Sequence, residues 1–205
     1  MDIEVKNSVK PLDYLSSIKI LEKRVDDIIL GKKRELLWLL EHNTVYTAGT
    51  SYNQQDLIDK NQKIIKTKRG GKITLHSKGQ KVIYFALDLN KRGRDIRKLV
   101  NKVENCIINI LREYNIDSYT DKKNIGIWTG DKKNSKKIAA IGIRVRRWVA
   151  YHGFSINIFN DLKKYNKIVP CGIKDKGITS IKDIGIKNYK NIDKIIIDKF
   201  LNSFL

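Results

Sequence analysis

The apolar residues of this 205-residue chain are gathered in short runs, and this feature limits its fold more than any other. The run VIYFAL at 82–87 is among the longest, yet it is far shorter than the roughly 18 residues that a helix needs to cross a bilayer. Runs of this length, bounded by turn-forming residues, are typical of strands buried in a sheet. The sequence therefore predicts strands at 80–89 and, from the run ELLWLLE, at 35–41.

Three longer segments have apolar residues at three- and four-residue spacing, which predicts amphipathic helices at 11–29, 95–114 and 191–205. Further strands are predicted at 44–48, 64–66, 73–75, 125–128, 137–145 and 151–158. The helices and strands do not alternate strictly, as they would in a doubly wound fold. We therefore expect an α+β fold, a mixed β-sheet flanked by helices, in a single domain over residues 1–205.

The chain is strongly basic, because 42 Lys and Arg residues against 22 Asp and Glu residues give a formal net charge of +20. Such a charge attracts polyanions or acidic proteins, and nucleic acid is the first candidate partner. Lysine, isoleucine and asparagine are all abundant, as in proteins from AT-rich genomes, so part of the excess is equally well explained by codon usage. The charge alone does not name the partner.

The first six residues, MDIEVK, lack the basic start and apolar run of a secretory signal, so we expect a cytosolic protein. Its two cysteines are then expected to be free thiols. Cys106 lies on the apolar face of the second predicted helix and is interpreted as core packing. Cys171 lies between Pro170 and Gly172, which indicates a turn, and a thiol on a turn is the better candidate for chemistry.

Three other segments join small residues to polar ones. Residues 69–76 read RGGKITLH, residues 137–144 read KIAAIGIR, and residues 151–157 read YHGFSIN. The glycine pair is typical of a backbone that approaches a ligand closely. It is also typical of a tight turn or β-bulge that has only a structural role. The alanines and glycine of the second segment leave room for a neighbouring element or a slender apolar ligand.

A thiol is a strong nucleophile only as the thiolate, so Cys171 requires a nearby cation or base. From the residue types alone, His76, His152 and Lys137 all compete for that role. Two cysteines and three histidines have no spacing typical of a zinc site, so no metal is expected.

Taken in order, these segments resemble the octanoyltransferases of lipoate biosynthesis. A further segment at 41–49, EHNTVYTAG, resembles that family's EHxxVYTxG, and the RGGKITLH, KIAAIGIR, HGFSIN and PCG segments resemble its remaining motifs in the same order. The resemblance covers roughly residues 35–182. It implies the fold of biotin and lipoate protein ligase catalytic domains.

The resemblance also implies roles for individual residues. Cys171 would carry the octanoyl group as a thioester, and Lys137 would lower the pKa of that thiol and move protons. The residues implied to bind the acyl group are Arg69, Gly70, Gly71, Lys72, Ile73, Thr74, Leu75, His76, Ala140, Ile141, Gly142, Gly153, Phe154 and Ser155. Each methylene that such a slot buries contributes about 0.8 kcal/mol.

The same resemblance implies the partners. The donor would be acyl carrier protein, which holds octanoate on its phosphopantetheine, and no other cofactor is expected. The acceptors would be lipoyl domains of 2-oxoacid dehydrogenase complexes and the glycine cleavage H protein. A membrane partner is not expected, nor is nucleic acid.

The chain departs from the family pattern after His76, where HSKGQ replaces the usual HGPGQ, which puts the shape of that loop and the chain-length preference in question. An ATP-dependent lipoate or biotin protein ligase of the same fold is the second enzyme compatible with these residues. Outside this fold family, the basic charge is compatible with a nucleic-acid-binding protein. A third alternative is that this chain is a catalytically inactive member of the octanoyltransferase family and acts as a scaffold.

Overall fold

A computed structural model describes residues 2–131, 133–172 and 176–205, with Cys171 described by its backbone alone. The strands are β1 (Ile3–Asn7), β2 (Glu35–Leu40), β3 (Val45–Ala48), β4 (Ile65–Lys66), β5 (Ile73–His76), β6 (Gln80–Asp88), β7 (Ser118–Thr120), β8 (Ile127–Thr129), β9 (Lys136–Arg146), β10 (Val149–Asn157) and β11 (Gly177–Ile178). The helices are α1 (Tyr14–Ile29), α2 (Ile96–Arg112) and α3 (Ile192–Phe204), with short 3₁₀ helices at Gln54–Asp56, Leu89–Arg92, Leu162–Lys167 and Pro170–Gly172.

The main sheet runs in the order β1-β2-β6-β10-β9-β8-β7, and β11 adds to β9. The pairs β1–β2 and β9–β11 are parallel and the others are antiparallel, so the sheet is mixed, as predicted. A small second sheet runs β4-β3-β5. The predicted α+β fold class is therefore confirmed.

The core forms two layers against the main sheet. Helix α1 packs on one face through residues such as Leu21 and Val25, against Trp38 and Tyr84. Helices α2 and α3 pack on the other face, where Cys106 is fully buried, as the sequence predicted. Burial raises the pKa of the Cys106 thiol to about 12, so this thiol is protonated at neutral pH. No helix among the described ranges is long and apolar enough to span a bilayer.

All three predicted helices are present, and each begins slightly later than its apolar pattern suggested. Asp13 accepts a hydrogen bond from the backbone N–H of Ser16, and Asp95 accepts one from Lys98, so each aspartate caps a helix that starts at the next residue. Strand β1 was not predicted, because this edge strand buries little more than Ile3 and so has no apolar run.

Candidate active site

A cavity of about 490 Å³ lies between the main sheet and residues 69–76, which follow β4 and include β5 of the small sheet. Its floor comes from three adjacent strands, which contribute Val82 and Tyr84 of β6, Gly153 and Ser155 of β10, and Ala140 and Gly142 of β9. Its roof comes from residues 69–76. The size is within the range of pockets that hold one small ligand.

Arg69 fastens the roof of the cavity from inside. Its Nη2 atom donates to the carbonyl oxygen of Thr47, to the Thr47 Oγ1 atom and to the carbonyl oxygen of Lys72, each at 2.9 Å. Its Nη1 atom donates to the carbonyl oxygen of Gly70 at 3.0 Å. The side chain is almost fully buried. Because it donates to both Gly70 and Thr47, this one guanidinium links the glycine pair to strand β3.

The glycines let the roof lie directly on strand β9. A Cβ atom at Gly142 would lie 3.3 Å from the carbonyl oxygen of Gly70 and 3.4 Å from the Cδ atom of Arg69, and one at Gly70 would lie 3.0 Å from the carbonyl oxygen of Ile143. The two backbones approach this closely because neither residue has a side chain. The space left beside Gly142 is therefore a narrow slot.

Lys137 is the second residue of β9 and is almost fully buried, with 4% of its surface exposed. Its Nζ atom donates to the carbonyl oxygen of Ile125 at 2.7 Å and lies 4.8 Å from the centre of the Trp128 ring. A Cβ atom at Gly126 would lie 3.1 Å from the same Nζ atom. The ammonium is thus enclosed by the segment that precedes β8, whose Lys123, Asn124 and Ile125 also line the cavity.

Cys171 lies in the 3₁₀ helix Pro170–Gly172, and its side chain is outside the described residues. The neighbouring Gly172 lines the cavity and has a φ of 66°. Six positions after Cys171, strand β11 begins at Gly177 and pairs with Lys136, and Ile178 pairs with Lys137. The chain that follows the cysteine therefore returns to the strand that carries the lysine.

His152 points into the cavity because the backbone of β10 is irregular there. Strand alternation would direct it to the same side as Ala150 and Phe154, which belong to the core under α2 and α3. Its φ of 68° turns the ring to the opposite face, where it stacks on Tyr151 at 4.8 Å and lies 6.3 Å from Tyr84. Only a few per cent of residues other than glycine adopt such a φ, with Asn, Asp and His over-represented, and residues held in this region are concentrated at functional sites.

Both ring nitrogens of His152 lack a hydrogen-bond partner among the residues that the structure describes, although only 2% of the residue is exposed. Burial, with smaller contributions from Arg69 and Arg144, lowers the pKa of His152 to about 3. The ring is therefore neutral at physiological pH and offers one donor and one acceptor to the cavity.

The other two histidines are held by hydrogen bonds. His42 Nδ1 donates to the carbonyl oxygen of Leu12, which leaves Nε2 to accept from the Tyr84 hydroxyl at 2.8 Å. His76 Nδ1 lies 2.7 Å from the Gln80 Oε1 atom, whose amide group donates to Asn157 and Tyr165. Burial lowers the pKa of His42 to about 4 and that of His76 to about 3, so neither is charged at neutral pH.

Residues 13–204 match the family described as the lipoyl protein ligase A/B catalytic domain. The octanoyltransferase of Anaplasma phagocytophilum is 47% identical over 207 residues, which include 100% of both chains. This chain belongs to the octanoyltransferase family. The octanoyltransferase of Ehrlichia canis is 42% identical over 205 residues, covering 98% of this chain and 96% of the relative.

A solved structure of a putative lipoate protein ligase from T. acidophilum with bound lipoic acid shares the fold. Its TM-score is 0.71 at 15% identity, over 99% of this chain and 86% of that one. At this identity the likeness shows the fold alone. The predicted fold, that of ligase-type catalytic domains, is confirmed.

The structure gathers most of the residues that the octanoyltransferase resemblance implies. Those that line the cavity are Arg69, Gly70, Gly71, Lys72, Thr74, His76, Ala140, Ile141, Gly142, Gly153, Phe154 and Ser155. Ile73 and Leu75 do not line it, because alternation along β5 turns both into a separate core with Tyr46 and Ile168. Both pack in this core, which holds β5 in place.

Several residues that line the cavity were not predicted from the sequence. Tyr14, Val82 and Tyr84 lie in a helix and a strand whose apolar patterns indicate only core packing. His152 is a competing base by residue type, but its aim into the cavity depends on a φ value that no residue pattern predicts.

The loop that departs from the octanoyltransferase pattern is a tight turn between β5 and β6. The backbone N–H of Gln80 donates to the carbonyl oxygen of Ser77, and that of Gly79 donates to the Glu41 carboxylate at 2.8 Å. Gly79 has a φ of 85°, which a glycine adopts without strain. Ser77 is itself buried, and the turn is therefore closed without the family's usual glycine and proline.

Proposed function

We propose that this chain transfers an octanoyl group from acyl carrier protein to a lysine of lipoyl domains, the first step of protein lipoylation. The similarity to proteins named octanoyltransferase, at 47% and 42% identity over nearly the full chain, carries this proposal. The narrow cavity beside Gly142 supports it, because small residues on neighbouring strands leave an apolar slot suited to an unbranched acyl chain.

The reaction proceeds in two exchanges at one carbonyl carbon. In the first, the Cys171 sulfur forms a bond to the carbonyl carbon of the octanoyl thioester, and the bond from that carbon to the carrier's sulfur breaks. The thiol proton of Cys171 passes by way of Lys137 to the departing thiolate. The enzyme then holds octanoate as a thioester, and the carrier leaves with a free thiol.

In the second exchange, the amine of the acceptor lysine forms a bond to the same carbon and the bond to Cys171 breaks. One proton of the amine passes through Lys137 to the Cys171 thiolate, and an amide is formed. Because a thioester is already an activated acyl group, neither ATP nor a further cofactor takes part. This distinguishes the proposal from an ATP-dependent ligase of the same fold.

The proposed partners are acidic proteins of the cytoplasm, which the positive net charge of this chain would attract. Lys72 and Lys123 both line the cavity, the first half-buried and the second exposed, so they would stand near a docked acyl carrier protein. The lipoyl domains of 2-oxoacid dehydrogenase complexes and the H protein are the proposed acceptors. Raised ionic strength should then increase the apparent Michaelis constant for the carrier, since long-range attraction is screened by salt.

Intact-protein mass spectrometry after incubation with octanoyl-acyl carrier protein tests the proposal. We expect one added octanoyl group, removed by hydroxylamine, and transfer to an apo lipoyl domain in the absence of ATP. Cys171→Ala should form no adduct, whereas Cys106→Ser, the matched control in the core, should form it. An adduct on Cys171→Ala, or transfer only when ATP is added, would reject the mechanism.

A further inference from the structure

Loop 121–126, which precedes β8, is built around the Asp121 carboxylate. Its Oδ1 atom accepts the backbone N–H of Lys123 at 2.9 Å, and its Oδ2 atom accepts the Asn124 side chain at 2.9 Å. The same Oδ2 atom accepts the Lys176 Nζ atom at 2.7 Å. These three donors, Asn124 first, hold the pKa of Asp121 well below its usual value, so the carboxylate is ionised at any physiological pH.

The far end of the same loop encloses the Lys137 ammonium. The carbonyl oxygen of Ile125 accepts its hydrogen bond, and Gly126, with a φ of 133°, lets the backbone pass next to it. The Trp128 ring lies beneath the ammonium and is itself fixed by a hydrogen bond from Nε1 to the carbonyl oxygen of Asn124 at 2.9 Å. The position of Lys137 Nζ therefore depends on the shape of the loop.

Lys176 links this loop to the segment that carries Cys171. It lies five positions after the cysteine and directly before β11, which pairs with β9 at Lys136 and Lys137. Its Nζ atom also lies 4.6 Å from the centre of the Trp128 ring. Lys176 and Asp121 are 25% and 20% exposed, so their ion pair is partly sheltered from solvent.

We propose that Asp121 is a positioning residue that holds the Cys171 segment, through Lys176, against the loop that fixes the Lys137 ammonium. The proposal rests on the proposed function for its chemical meaning, since it concerns how the thiol and the amine are aligned. Asp121 itself does not touch the reacting atoms. Its role is to join two segments that are far apart in the sequence.

The rate of Cys171 alkylation by iodoacetamide, followed by mass spectrometry from pH 6 to 9, tests this role. For Asp121→Asn we expect the rate at pH 7 to fall about tenfold, because the thiol is no longer aligned with the Lys137 amine that favours its thiolate. Simple removal of a negative charge would favour the thiolate and speed alkylation. The sign of the change therefore separates alignment from a general charge effect.

Two further variants complete the test. Lys176→Arg keeps a cation for Asp121 and should retain most of the rate, whereas Lys176→Met should behave like Asp121→Asn. Glu113→Gln is the matched control, because it removes an ion pair with Lys199 between α2 and α3. It should leave alkylation unchanged, and all four variants should melt within a few degrees of the parent chain, since a single ion pair near the surface contributes little to stability.

An alkylation rate for Asp121→Asn equal to or above that of the parent chain would overturn the proposal. With octanoyl-acyl carrier protein, the variant should lower kcat and leave the KM for the carrier unchanged. If Cys171→Ala still transferred octanoate, the proposed mechanism would fail, yet the alkylation data would still decide the role of Asp121. The two failures are thus distinguishable.

Discussion

Arg69 and Thr47 join the loop above the cavity to the small sheet, since a single guanidinium nitrogen donates to both the carbonyl and the hydroxyl oxygen of Thr47 at 2.9 Å. This contact sets the height of the roof over Gly142. The buried guanidinium of Arg69 therefore helps to hold residues 69–72 against Gly142, through its bonds to backbone oxygens and to the Thr47 hydroxyl.

Arg69→Lys should lose most of these hydrogen bonds, because an ammonium cannot reach the same set of acceptors as a planar guanidinium. We expect the free energy of unfolding to fall by about 2–4 kcal/mol, and the KM for the acyl donor to rise. Urea unfolding and steady-state transfer assays measure the two effects. Thr47→Val, which removes only the hydroxyl acceptor, should show a smaller change of the same kind; equal stability of Arg69→Lys and the parent chain would contradict this role of the guanidinium.

We expect Ala140 to limit the length of the acyl chain that the slot accepts. It lies on β9 opposite Ser155 of β10 and lines the cavity, so Ala140→Leu adds bulk to the floor. We expect kcat/KM for octanoyl transfer to fall about tenfold or more, while transfer of butanoyl is retained. Competition between acyl carrier proteins with four- and eight-carbon chains measures this preference, and Ala140→Ser, which hardly changes the volume, is the control. An unchanged preference in Ala140→Leu would place the acyl chain elsewhere.

The two ring nitrogens of His152 are buried without a hydrogen-bond partner among the described residues. This should lower the free energy of unfolding of the protein when no substrate is bound. His152→Phe replaces the ring with an apolar one of similar shape, so the free energy of unfolding at pH 7 should stay within about 1 kcal/mol or rise. Octanoyl transfer should nevertheless fall roughly tenfold or more, because the cavity loses its only described unpaired imidazole. Transfer at the parent rate would show that this histidine has no part in the reaction.

The three histidines should make the chain less stable as the pH falls. Their folded pKa values, about 4 for His42 and about 3 for His76 and His152, lie below the ordinary value near 6.5. The unfolded chain therefore binds more protons. The stability that is complete above pH 6.5 is lost as the pH falls toward 4 for His42 and toward 3 for His76 and His152. Each histidine contributes a slope of up to about 1.4 kcal/mol per pH unit.

Urea unfolding at pH 7, 6 and 5 measures this loss. His152→Phe should reduce the slope between pH 6 and 5 by about 1.4 kcal/mol per unit, since one of the three titrating groups is gone. That interval lies above the range in which the carboxylates with lowered pKa values, such as Asp13, take up protons. A slope that is the same in both proteins would mean that His152 titrates normally in the folded state.

Much of the fold could be predicted because it depends on local patterns. The strand at Glu35–Leu40 and the helix at Ile96–Arg112 follow from runs and spacings of apolar residues, most of which are buried in the fold. The order of glycine-rich and histidine-containing motifs likewise indicates the family from the sequence alone. These features can be predicted from the sequence because hydrophobicity and backbone flexibility are properties of single residues and their near neighbours.

Only the tertiary structure decided which side chains meet. The direction of His152 depends on one φ value inside a strand, and the contact of Gly70 with Gly142 depends on how the small sheet lies over the large one. The link from Asp121 to Lys176 joins residues 55 positions apart. Such contacts arise from long-range packing, whose energy is shared among many residues, so no short segment of the sequence records them.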